Sequence, residues 1–145
     1  ADNVGEVDSQ GGEIQLRWRP TQALDVSVHY ARVFLETDTT EPSFNEDIPQ
    51  SAPRDSAGLL ARYRFDPGWE ASLFAQRSDA VKWLIPGDDT KAFTRVDLRL
   101  ARRWTWQGTE MEAALVGQNL GKDYEEFRNT NIFSRRVYGS LSFAW

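Results

Sequence analysis

The sequence predicts an all-β protein, built as an antiparallel meander of about seven strands. Two observations support this fold class. Apolar and polar residues alternate with period two along most of the chain, whereas no segment repeats convincingly with the helical period of about 3.6 residues. The alternating segments are separated by connections rich in turn-forming residues, and these connections are alternately short and long. A chain that reverses its direction after every strand explains both observations.

Each predicted strand places apolar side chains on one face and polar side chains on the other. In the first, "EIQLRWR" at residues 13–19, the alternation has no exception. The other predicted strands are "LDVSVHY" at 24–30, "GLLARYRF" at 58–65, "WEASLFAQ" at 69–76, "RVDLRLARRW" at 95–104, "EMEAALVGQ" at 110–118 and the final "RRVYGSLSFAW" at 135–145. Leu60, Phe74 and Arg102 interrupt the alternation. The pattern nevertheless gives every strand one apolar face.

Three predicted connections are tight and three are long. Turn-forming residues occupy positions 20–23, 66–68 and 106–109, whereas residues 37–54, 79–93 and 120–135 form loops rich in Asp, Glu, Thr, Asn and Pro. In an antiparallel meander, this strict alternation collects the short turns at one end of the sheet and the long loops at the other. Outer-membrane β-barrels have this layout, with short periplasmic turns and longer extracellular loops.

The aromatic residues favour the same layout. A group of them lies beside the short turns or at the end of the chain, and consists of Trp18, Phe65, Trp69, Trp104, Trp106 and Trp145. Aromatic side chains form such a girdle where a transmembrane barrel meets the membrane interface. The alternative is a set of core side chains that caps one end of a packed barrel.

The polar faces carry many charged residues, among them Arg17, Arg62, Arg64, Arg95, Arg99, Glu110 and Glu112. These are too many for the interior of a small packed barrel, because buried charges must be paired and hydrogen-bonded. A wide, wet lumen accepts them, and so does the solvent face of a sandwich. Together with the turn layout, the charges favour a large transmembrane β-barrel over a small packed one, and the strand count then predicts that the meander forms the C-terminal part of this barrel.

The strand count predicts that this barrel extends beyond the chain. Seven strands that end on the periplasmic side begin on the outer side, whereas a complete bacterial barrel has an even number of strands and both ends in the periplasm. We therefore expect residues 1–145 to be a C-terminal segment whose N-terminal barrel strands are absent. The sequence ends within a strand because that strand closes the barrel against a strand that lies elsewhere.

Composition argues against several other functions. The formal net charge of −5 disfavours nucleic acid as a partner, and without cysteine the chain has no thiolate metal site. No Ser-His-Asp spacing and no phosphate-binding loop occurs, so we expect no catalytic residues and no cofactor. The single histidine, His29, is expected to be structural or solvated. The acidic stretch "ETDTTEPSFNED" at residues 36–47 is expected to be a solvated charge run, with no metal bound.

Three segments resemble the C-terminal barrel strands of TonB-dependent outer-membrane receptors. "NVGEVDSQGGE" resembles the stretch that leads into a strand in this family, with matches at Asn3, Gly5, Gly11 and Glu13. "VGQNLGKDYEE" resembles the segment before the last loop, with matches at Asn119, Leu120, Lys122, Asp123 and Tyr124. Gly121 stands where the family often has Phe or Thr, and the final Trp replaces the more usual Phe. The three segments occur in the family's order and span almost the whole chain.

The resemblance implies a barrel of about 22 strands that is occluded by an N-terminal plug. Such a receptor imports a scarce ligand, for example a ferric siderophore, haem, cobalamin or a sugar, across the outer membrane of a Gram-negative bacterium. It couples to the TonB complex through the plug, and neither the plug nor a TonB box is present in this sequence. The expected partners are thus outer-membrane lipid, the small ligand, the TonB complex and the barrel-assembly machinery. This chain is not expected to be an enzyme.

Two groups of candidate functional residues follow. The expected ligand-contacting residues lie in the long loops and are Trp83, Tyr124, Phe127 and Arg128. For Trp83, packing on a neighbouring loop is the favoured alternative. The resemblance also implies that Leu141, Phe143 and Trp145 form the terminal signal by which the assembly machinery recognises a barrel.

Two other kinds of protein remain possible from the sequence. A small eight-stranded outer-membrane barrel, acting as an adhesin or a lipid-modifying enzyme, needs one more strand. A soluble β-sandwich, such as a carbohydrate-binding module, would bury the face that carries Ile14, Leu16 and Trp18. Dependence on detergent separates the sandwich from either barrel.

Overall fold

The computed structural model describes residues 5–40, 42–65, 67–84 and 87–144. Its strands, in chain order, are β1 (Gly5–Trp18), β2 (Leu24–Thr39), β3 (Asp55–Phe65), β4 (Trp69–Ser78), β5 (Val81–Lys82), β6 (Asp89–Thr90), β7 (Phe93–Trp106), β8 (Thr109–Gln118), β9 (Tyr124–Glu126), β10 (Arg128–Phe133) and β11 (Arg136–Ala144). Seven of them form one antiparallel sheet in the order β1-β2-β3-β4-β7-β8-β11. Each sheet strand therefore pairs with the next sheet strand along the chain, which confirms the predicted seven-stranded meander.

The long loops contain secondary structure of their own. The first holds helix α1 (Pro42–Asp47) and a 3-10 turn (Ile48–Gln50), the second holds the β5–β6 hairpin, and the third holds the β9–β10 hairpin. The expectation that the chain contains no helix was thus wrong for α1. Its six residues complete fewer than two turns, which is too short for a helical period to show in the sequence. No helix in the described part of the chain is long and apolar enough to cross a membrane.

The short turns lie at one end of the sheet and the long loops at the other. The β7–β8 turn consists of Gln107 and Gly108, and both have positive φ, 50° and 82°. Two such residues make a type I′ turn, whose twist matches that of the flanking strands. In the β3–β4 turn Gly68 has a φ of 78°, and its carbonyl accepts a hydrogen bond of 2.8 Å from the Arg103 amide on β7. Asp66 of the same turn lies outside the described residues.

Cross-strand register assigns the apolar residues to one face of the sheet. One continuous row across five strands contains Trp18, Val26, Ala61, Leu73 and Leu98. This surface is called the apolar face below. The opposite surface, the polar face, carries a row with Asp25, Arg62, Ser72, Arg99 and Val116. Because side chains alternate along a strand, these two rows fix the face of every other residue in the regular part of the sheet.

Burial is inverted relative to a soluble protein. The apolar face is exposed, with Ile14 at 71% and Val137 at 64% of full accessibility. By contrast, Ala101 and Ala114 on the polar face retain only 1% and 8%. A water-soluble sheet buries its apolar face, whereas a transmembrane barrel turns that face outward to lipid.

The sandwich alternative is not supported by this arrangement. A sandwich needs a second sheet packed about 10 Å from the first. Among the described residues, the remaining strands form only the two small hairpins β5–β6 and β9–β10, which lie in the loops. Ile14, Leu16 and Trp18, which a sandwich would bury, are all more than half exposed.

Three residues, Leu60, Phe74 and Arg102, interrupt the alternation of apolar and polar side chains, and each lies next to a side chain that makes its position on that face more favourable. Leu60 and Phe74 are directly opposite each other on the polar face, and the Arg95 guanidinium carbon lies 5.8 Å from the Phe74 ring centroid. Arg102, on the apolar face, lies 5.5 Å from the Trp69 ring centroid. A guanidinium group over an aromatic ring retains a favourable electrostatic contact in an apolar setting.

The sheet is open at both edges. In the part of the chain that the structure describes, β1 pairs only with β2, and β11 pairs only with β8. These strands therefore do not close into a barrel by themselves. An eight-stranded barrel would bring the two edges together through a single additional strand, and nothing in the observed pairing favours that closure.

Candidate functional site

The long loops meet in two aromatic clusters. In the first, the rings of Phe93, Tyr124 and Phe133 stack in a row. The Phe93 and Tyr124 centroids are 4.2 Å apart, those of Tyr124 and Phe133 are 5.1 Å apart, and successive rings are within 10° of parallel. Phe93 is the first residue of β7, while the other two belong to the β9–β10 hairpin. The stack therefore fixes the third long loop against the sheet.

The second cluster joins the second and third loops. Trp83 and Phe127 meet edge to face, with their ring centroids 5.6 Å apart. The Trp83 Nε1–H donates a hydrogen bond of 2.8 Å to Thr90 Oγ1, and the Arg128 guanidinium carbon lies 5.8 Å from the Phe127 centroid. Trp83 thus packs on a neighbouring loop, which is the favoured alternative from the sequence.

Backbone contacts strengthen the junction of these two loops. The Asp88 amide donates to the Phe127 carbonyl at 2.8 Å, and the Asn129 amide donates to Asp88 Oδ2 at 3.0 Å. Gly87 lies between the two loops, where an added Cβ would overlap Trp83 Cβ and would be 2.9 Å from Trp83 Cγ and 3.1 Å from the Phe127 carbonyl oxygen. Only glycine fits there without displacing the indole ring or the facing backbone.

The four predicted ligand-contacting residues are thus divided between the clusters. Trp83, Phe127 and Arg128 come together, whereas Tyr124 belongs to the neighbouring stack. Trp83 and Tyr124 are half-buried, while Phe127 and Arg128 are exposed. Phe127 has a φ of 65°, a conformation that non-glycine residues adopt only when the surrounding contacts impose it. The contacts with Trp83 and Asp88 supply that constraint.

The first long loop is connected to the second by an ion pair. Lys82 Nζ lies 2.5 Å from Asp47 Oδ1, and this hydrogen-bonded carboxylate raises the pKa of the Lys82 ammonium. Asp47 belongs to the acidic stretch at residues 36–47, which also contains Glu36, Asp38 and Glu46. Glu41 of the same stretch is outside the described residues. In the described part of the chain, no group of three His, Asp or Glu side chains converges to hold a metal ion.

Asn119 is a structural residue whose role the sequence did not indicate. It is buried, at 3% exposure, and has a φ of 46°. Its amide N–H donates to Asp97 Oδ1 at 2.9 Å, and its Nδ2 donates to the Phe133 carbonyl at 2.6 Å. Asn119 therefore joins the polar face of β7 to the third loop. Asparagine tolerates the left-handed conformation, which is the signal that could have identified it.

The polar face carries a ladder of ion pairs near the short turns. Asp25 accepts from Arg17 Nη2 at 2.5 Å and from Arg19 Nε at 3.0 Å. Further along the sheet, Glu70 Oε1 lies 3.9 Å from Arg62 Nε and 3.5 Å from Arg99 Nη1. A water-filled lumen accommodates these ion pairs, because partial solvation lowers the desolvation free energy of the charged side chains.

The ladder ends in a network of three side chains over two alanines. The Glu112 carboxylate accepts a hydrogen bond of 2.7 Å from Arg103 Nε and also forms an ion pair with Arg99. Arg99 and Arg103 flank Ala101 along β7, and Ala101 is paired with Ala114 on β8. The long charged side chains flank the small ones, which explains why Ala101 and Ala114 are among the most buried residues of the sheet although they lie on its charged face.

The aromatic girdle lies where the sequence predicted it. Trp18, Phe65, Trp69, Trp104 and Trp106 all lie on the apolar face at the short-turn end, and all but Trp104 are exposed. Trp145, the sixth predicted member, is outside the described residues. An exposed aromatic row at one level is favourable at a membrane interface and unfavourable in water.

Two of the three predicted assembly residues can be located. Leu141 and Phe143 lie on the apolar face of β11, opposite Ala113 and Met111 of β8, and both are exposed. Trp145 lies outside the described residues. The β11 edge that carries these side chains has no partner strand among the described residues.

Comparison with known proteins adds one finding. The family described as TonB dependent receptor-like, beta-barrel matches residues 1–120. No curated protein and no solved structure matches the chain. The match covers most of the sequence, and the open meander, the inverted burial and the aromatic girdle all agree with it. The chain belongs to the TonB-dependent receptor-like β-barrel family, whose members are transporters of the bacterial outer membrane.

Proposed function

We propose that this chain is part of a receptor that imports a scarce ligand, such as a ferric siderophore, into the periplasm. The observation that carries the proposal is the inverted burial of the sheet. One face of the sheet exposes Leu98, Leu115 and Val137, and the opposite face carries ion pairs. The wall of a barrel around an aqueous lumen has this arrangement, with its apolar face toward lipid and its charged face toward water. Membership of a family of outer-membrane transporters also supports this proposal.

Within that receptor, residues 1–145 are proposed to be the C-terminal segment of the barrel. The open edges of β1 and β11 support this, because an unpaired strand edge in lipid leaves backbone groups without partners. Other strands of the receptor would pair with both edges. The plug that closes the lumen and engages the TonB complex would likewise belong to another segment.

The long-loop end is proposed to contribute to ligand capture through Trp83, Tyr124, Phe127 and Arg128. Two of these, Phe127 and Arg128, are exposed next to each other, and they present an aromatic ring and a cation on one surface. Trp83 supports that surface through its edge-to-face contact with Phe127, whereas Tyr124 stacks between Phe93 and Phe133 and holds the same hairpin against the sheet. A ring beside a guanidinium group suits a ligand that is both aromatic and anionic.

The terminal residues Leu141, Phe143 and Trp145 are proposed to be recognised by the barrel-assembly machinery. Exposure of Leu141 and Phe143 on the unpaired last strand supports this. Replacing Phe143 by Ala should leave more of the receptor unfolded in the periplasm, whereas Ser142→Ala on the opposite face should not. Equal assembly of the two variants would contradict the role.

The first test is extraction of the natural full-length product from cell envelopes. We expect a species that requires detergent, is several times heavier than 16.6 kDa and migrates differently on gels before and after boiling. Such heat-modifiable mobility reports a closed barrel. A water-soluble monomer with the mass of this chain would overturn the proposed function.

The second test addresses the ligand surface. Binding of ferric catecholate siderophores, ferric hydroxamate siderophores, haem and cobalamin to the full-length receptor would be compared with binding to Arg128→Gln. We expect at least one compound to bind the natural protein and to bind the variant about tenfold more weakly, since a charge-assisted hydrogen bond contributes about 1.5–3 kcal/mol. The matched control is Arg64→Gln, a cation at the short-turn end. Equal loss in both variants would exclude a specific role for the loop.

A further inference from the structure

A cavity lies on the polar face at the short-turn end, far from the two aromatic clusters of the long loops. Its volume is about 720 Å³, and its wall includes Arg17, Arg19, Asp25, Arg62 and Arg64. Arg17 is opposite Ser27, and Asp25 is opposite Arg62, so these side chains project from the polar face of β1, β2 and β3. The cavity therefore lies on the lumen side of the sheet, beside the turn between β1 and β2.

The cavity holds more positive charge than its own carboxylate can compensate. Asp25 is the one acidic residue among the described residues of the wall, and two arginines share it. Arg17 Nε and Arg19 Nε each donate to its carboxylate at 3.0 Å. The Asp25 side chain is only 16% exposed, whereas both arginine side chains are 57% exposed. The guanidinium groups thus cover the carboxylate and give the cavity a cationic surface.

Two of the arginines keep most of their hydrogen-bond donors available. A guanidinium group has five N–H donors in a planar fork. Arg19 donates to a described residue only through Nε, and Arg62 donates no hydrogen bond to any described residue. The carboxylate nearest to Arg62 is that of Glu70, whose Oε1 is 3.9 Å from Arg62 Nε and 3.5 Å from Arg99 Nη1. Glu70 is therefore shared with another cation and leaves Arg62 only partly compensated.

Elsewhere on the polar face, the charges are matched more closely. Arg95 pairs with Asp97 at 2.6 Å on β7, and Arg103 pairs with Glu112 at 2.7 Å. An anion in the lumen thus meets compensated charge along β7 and uncompensated positive charge at the short-turn end. A charged cleft with walls of low dielectric constant raises the local concentration of ions of the opposite sign.

We propose that this cavity is a second ligand site, which receives an anionic ligand at the periplasmic end of the lumen, with Arg19 and Arg62 as its principal contacts. This site is called the exit site below. The inference rests on the proposed function, since it requires the polar face to line the lumen of a receptor. A guanidinium group binds a carboxylate or a similar oxyanion through two parallel hydrogen bonds.

The charge of the exit site also selects a class of ligand. Ferric complexes of catecholates and polycarboxylates keep a net negative charge, whereas ferric tris-hydroxamates are neutral. The exit site therefore fits the anionic chelates. A site that releases its ligand to the periplasm must bind it weakly, so that substitutions here should leave capture at the long loops unchanged.

The test measures how far an anion protects a thiol in the cavity. Gln22 lies in the wall, and Gln22→Cys in the purified full-length receptor would be modified by a maleimide with and without citrate, the anionic probe. We expect saturating citrate to slow the modification by about tenfold, and by less than about twofold when Arg19 and Arg62 are both replaced by Gln. The matched control is Arg102→Gln, which removes a cation at the same end from the apolar face and should keep full protection.

Two comparisons within the natural sequence show whether the protection is local and electrostatic. Gln107→Cys, in the turn between β7 and β8, is outside the cavity and should not be protected by citrate. Trimethyl citrate, which has the same skeleton without the charge, should protect neither thiol. These comparisons hold even when the double variant does not fold.

Three outcomes would overturn the exit site: protection that persists in the folded double variant, equal protection by the neutral ester, and equal protection of both thiols. A Gln22→Cys thiol that does not react even without citrate would show that another segment, such as the plug, fills the cavity, and would overturn it as well. Heat-modifiable mobility of the same samples separates the two proposals. A heat-modifiable receptor without protection would contradict the exit site alone, whereas a water-soluble product would also overturn the proposed function.

Discussion

Gly58 has no room for a side chain on the polar face. It lies opposite His29, and a Cβ at this position would overlap the imidazole ring. A ring that covers a strand glycine restores some of the packing that the missing side chain would have provided. The only histidine of the chain therefore has a structural explanation that its sequence context did not provide.

Replacing Gly58 by Ala should destabilise the barrel, because the His29 ring must move away from its strand. The expected loss is about 1–3 kcal/mol, the usual cost of overpacking. It would be measured as a lower midpoint temperature for the loss of heat-modifiable mobility. Gly12→Ala is the matched control, since no atom lies within 4 Å of its added Cβ. Equal midpoints for the two variants would show that His29 does not occupy this position.

Asn119 permits a test that separates backbone strain from a hydrogen bond. Asn119→Gly removes the bond to the Phe133 carbonyl but accepts the positive φ, whereas Asn119→Ala loses the bond and adds strain. We expect both variants to increase amide exchange in residues 124–133, and the alanine variant to cost about 1 kcal/mol more in stability. Identical stabilities would mean that strain at this position is negligible.

At the scale of the strand, the two faces of the sheet must respond differently to the same added charge. The apolar face meets hydrocarbon, where a cation at the middle of the bilayer is costly, while the polar face offers carboxylates as partners. Leu100 and Ser140 represent the two cases, because Leu100 is opposite Leu115 and Ser140 is opposite Ala114, close to Glu112.

Leu100→Lys should therefore destabilise the barrel by about 2–4 kcal/mol, and Ser140→Lys by much less. Denaturant-dependent refolding of the full-length receptor into vesicles would measure both. A larger loss for Ser140→Lys would reverse the assignment of the faces and contradict the barrel orientation.

The ion-pair ladder makes a second prediction at this scale. Glu112→Gln leaves Arg99 and Arg103 without their shared carboxylate, and the half-buried Arg99 then carries an incompletely compensated charge. Loss of one member of such a network costs about 1–3 kcal/mol. Glu110→Gln is the control, since Glu110 is exposed and pairs with no cation among the described residues. Chemical denaturation of both variants should show a lower midpoint only for Glu112→Gln.

For the whole molecule, alternation and turn spacing were sufficient to predict the sheet. The alternation of apolar and polar residues correctly predicted which residues share a face of the sheet. Leu60 and Phe74, which interrupt this alternation, are cross-strand neighbours in the structure. The loop structure could not be predicted in the same way. Helix α1 and the hairpins β5–β6 and β9–β10 are too short for a periodic signal, and contacts such as Trp83 with Phe127 join residues far apart in the chain.

The orientation of the whole sheet predicts which parts face the outside of the cell. The chain contains no cysteine, so a single introduced thiol in this segment reports its own position. Thr130→Cys in the third long loop should react with a membrane-impermeant maleimide on intact cells. Gln22→Cys in the first short turn should react only after the outer membrane is permeabilised. The opposite pattern would invert the orientation.

The three long loops are connected in series. Lys82 pairs with Asp47, and Asp88 binds the backbone of both Phe127 and Asn129, so that the second loop is attached to the first on one side and to the third on the other. Three loops without such contacts could open one at a time, each at the fast rate of an independent loop motion. Loops joined in this way are expected to move together, because displacing any one of them breaks contacts with its neighbour. If the long-loop end admits ligand, we expect its opening to respond to a substitution that removes either junction, Lys82 with Asp47 or Asp88 with the third loop.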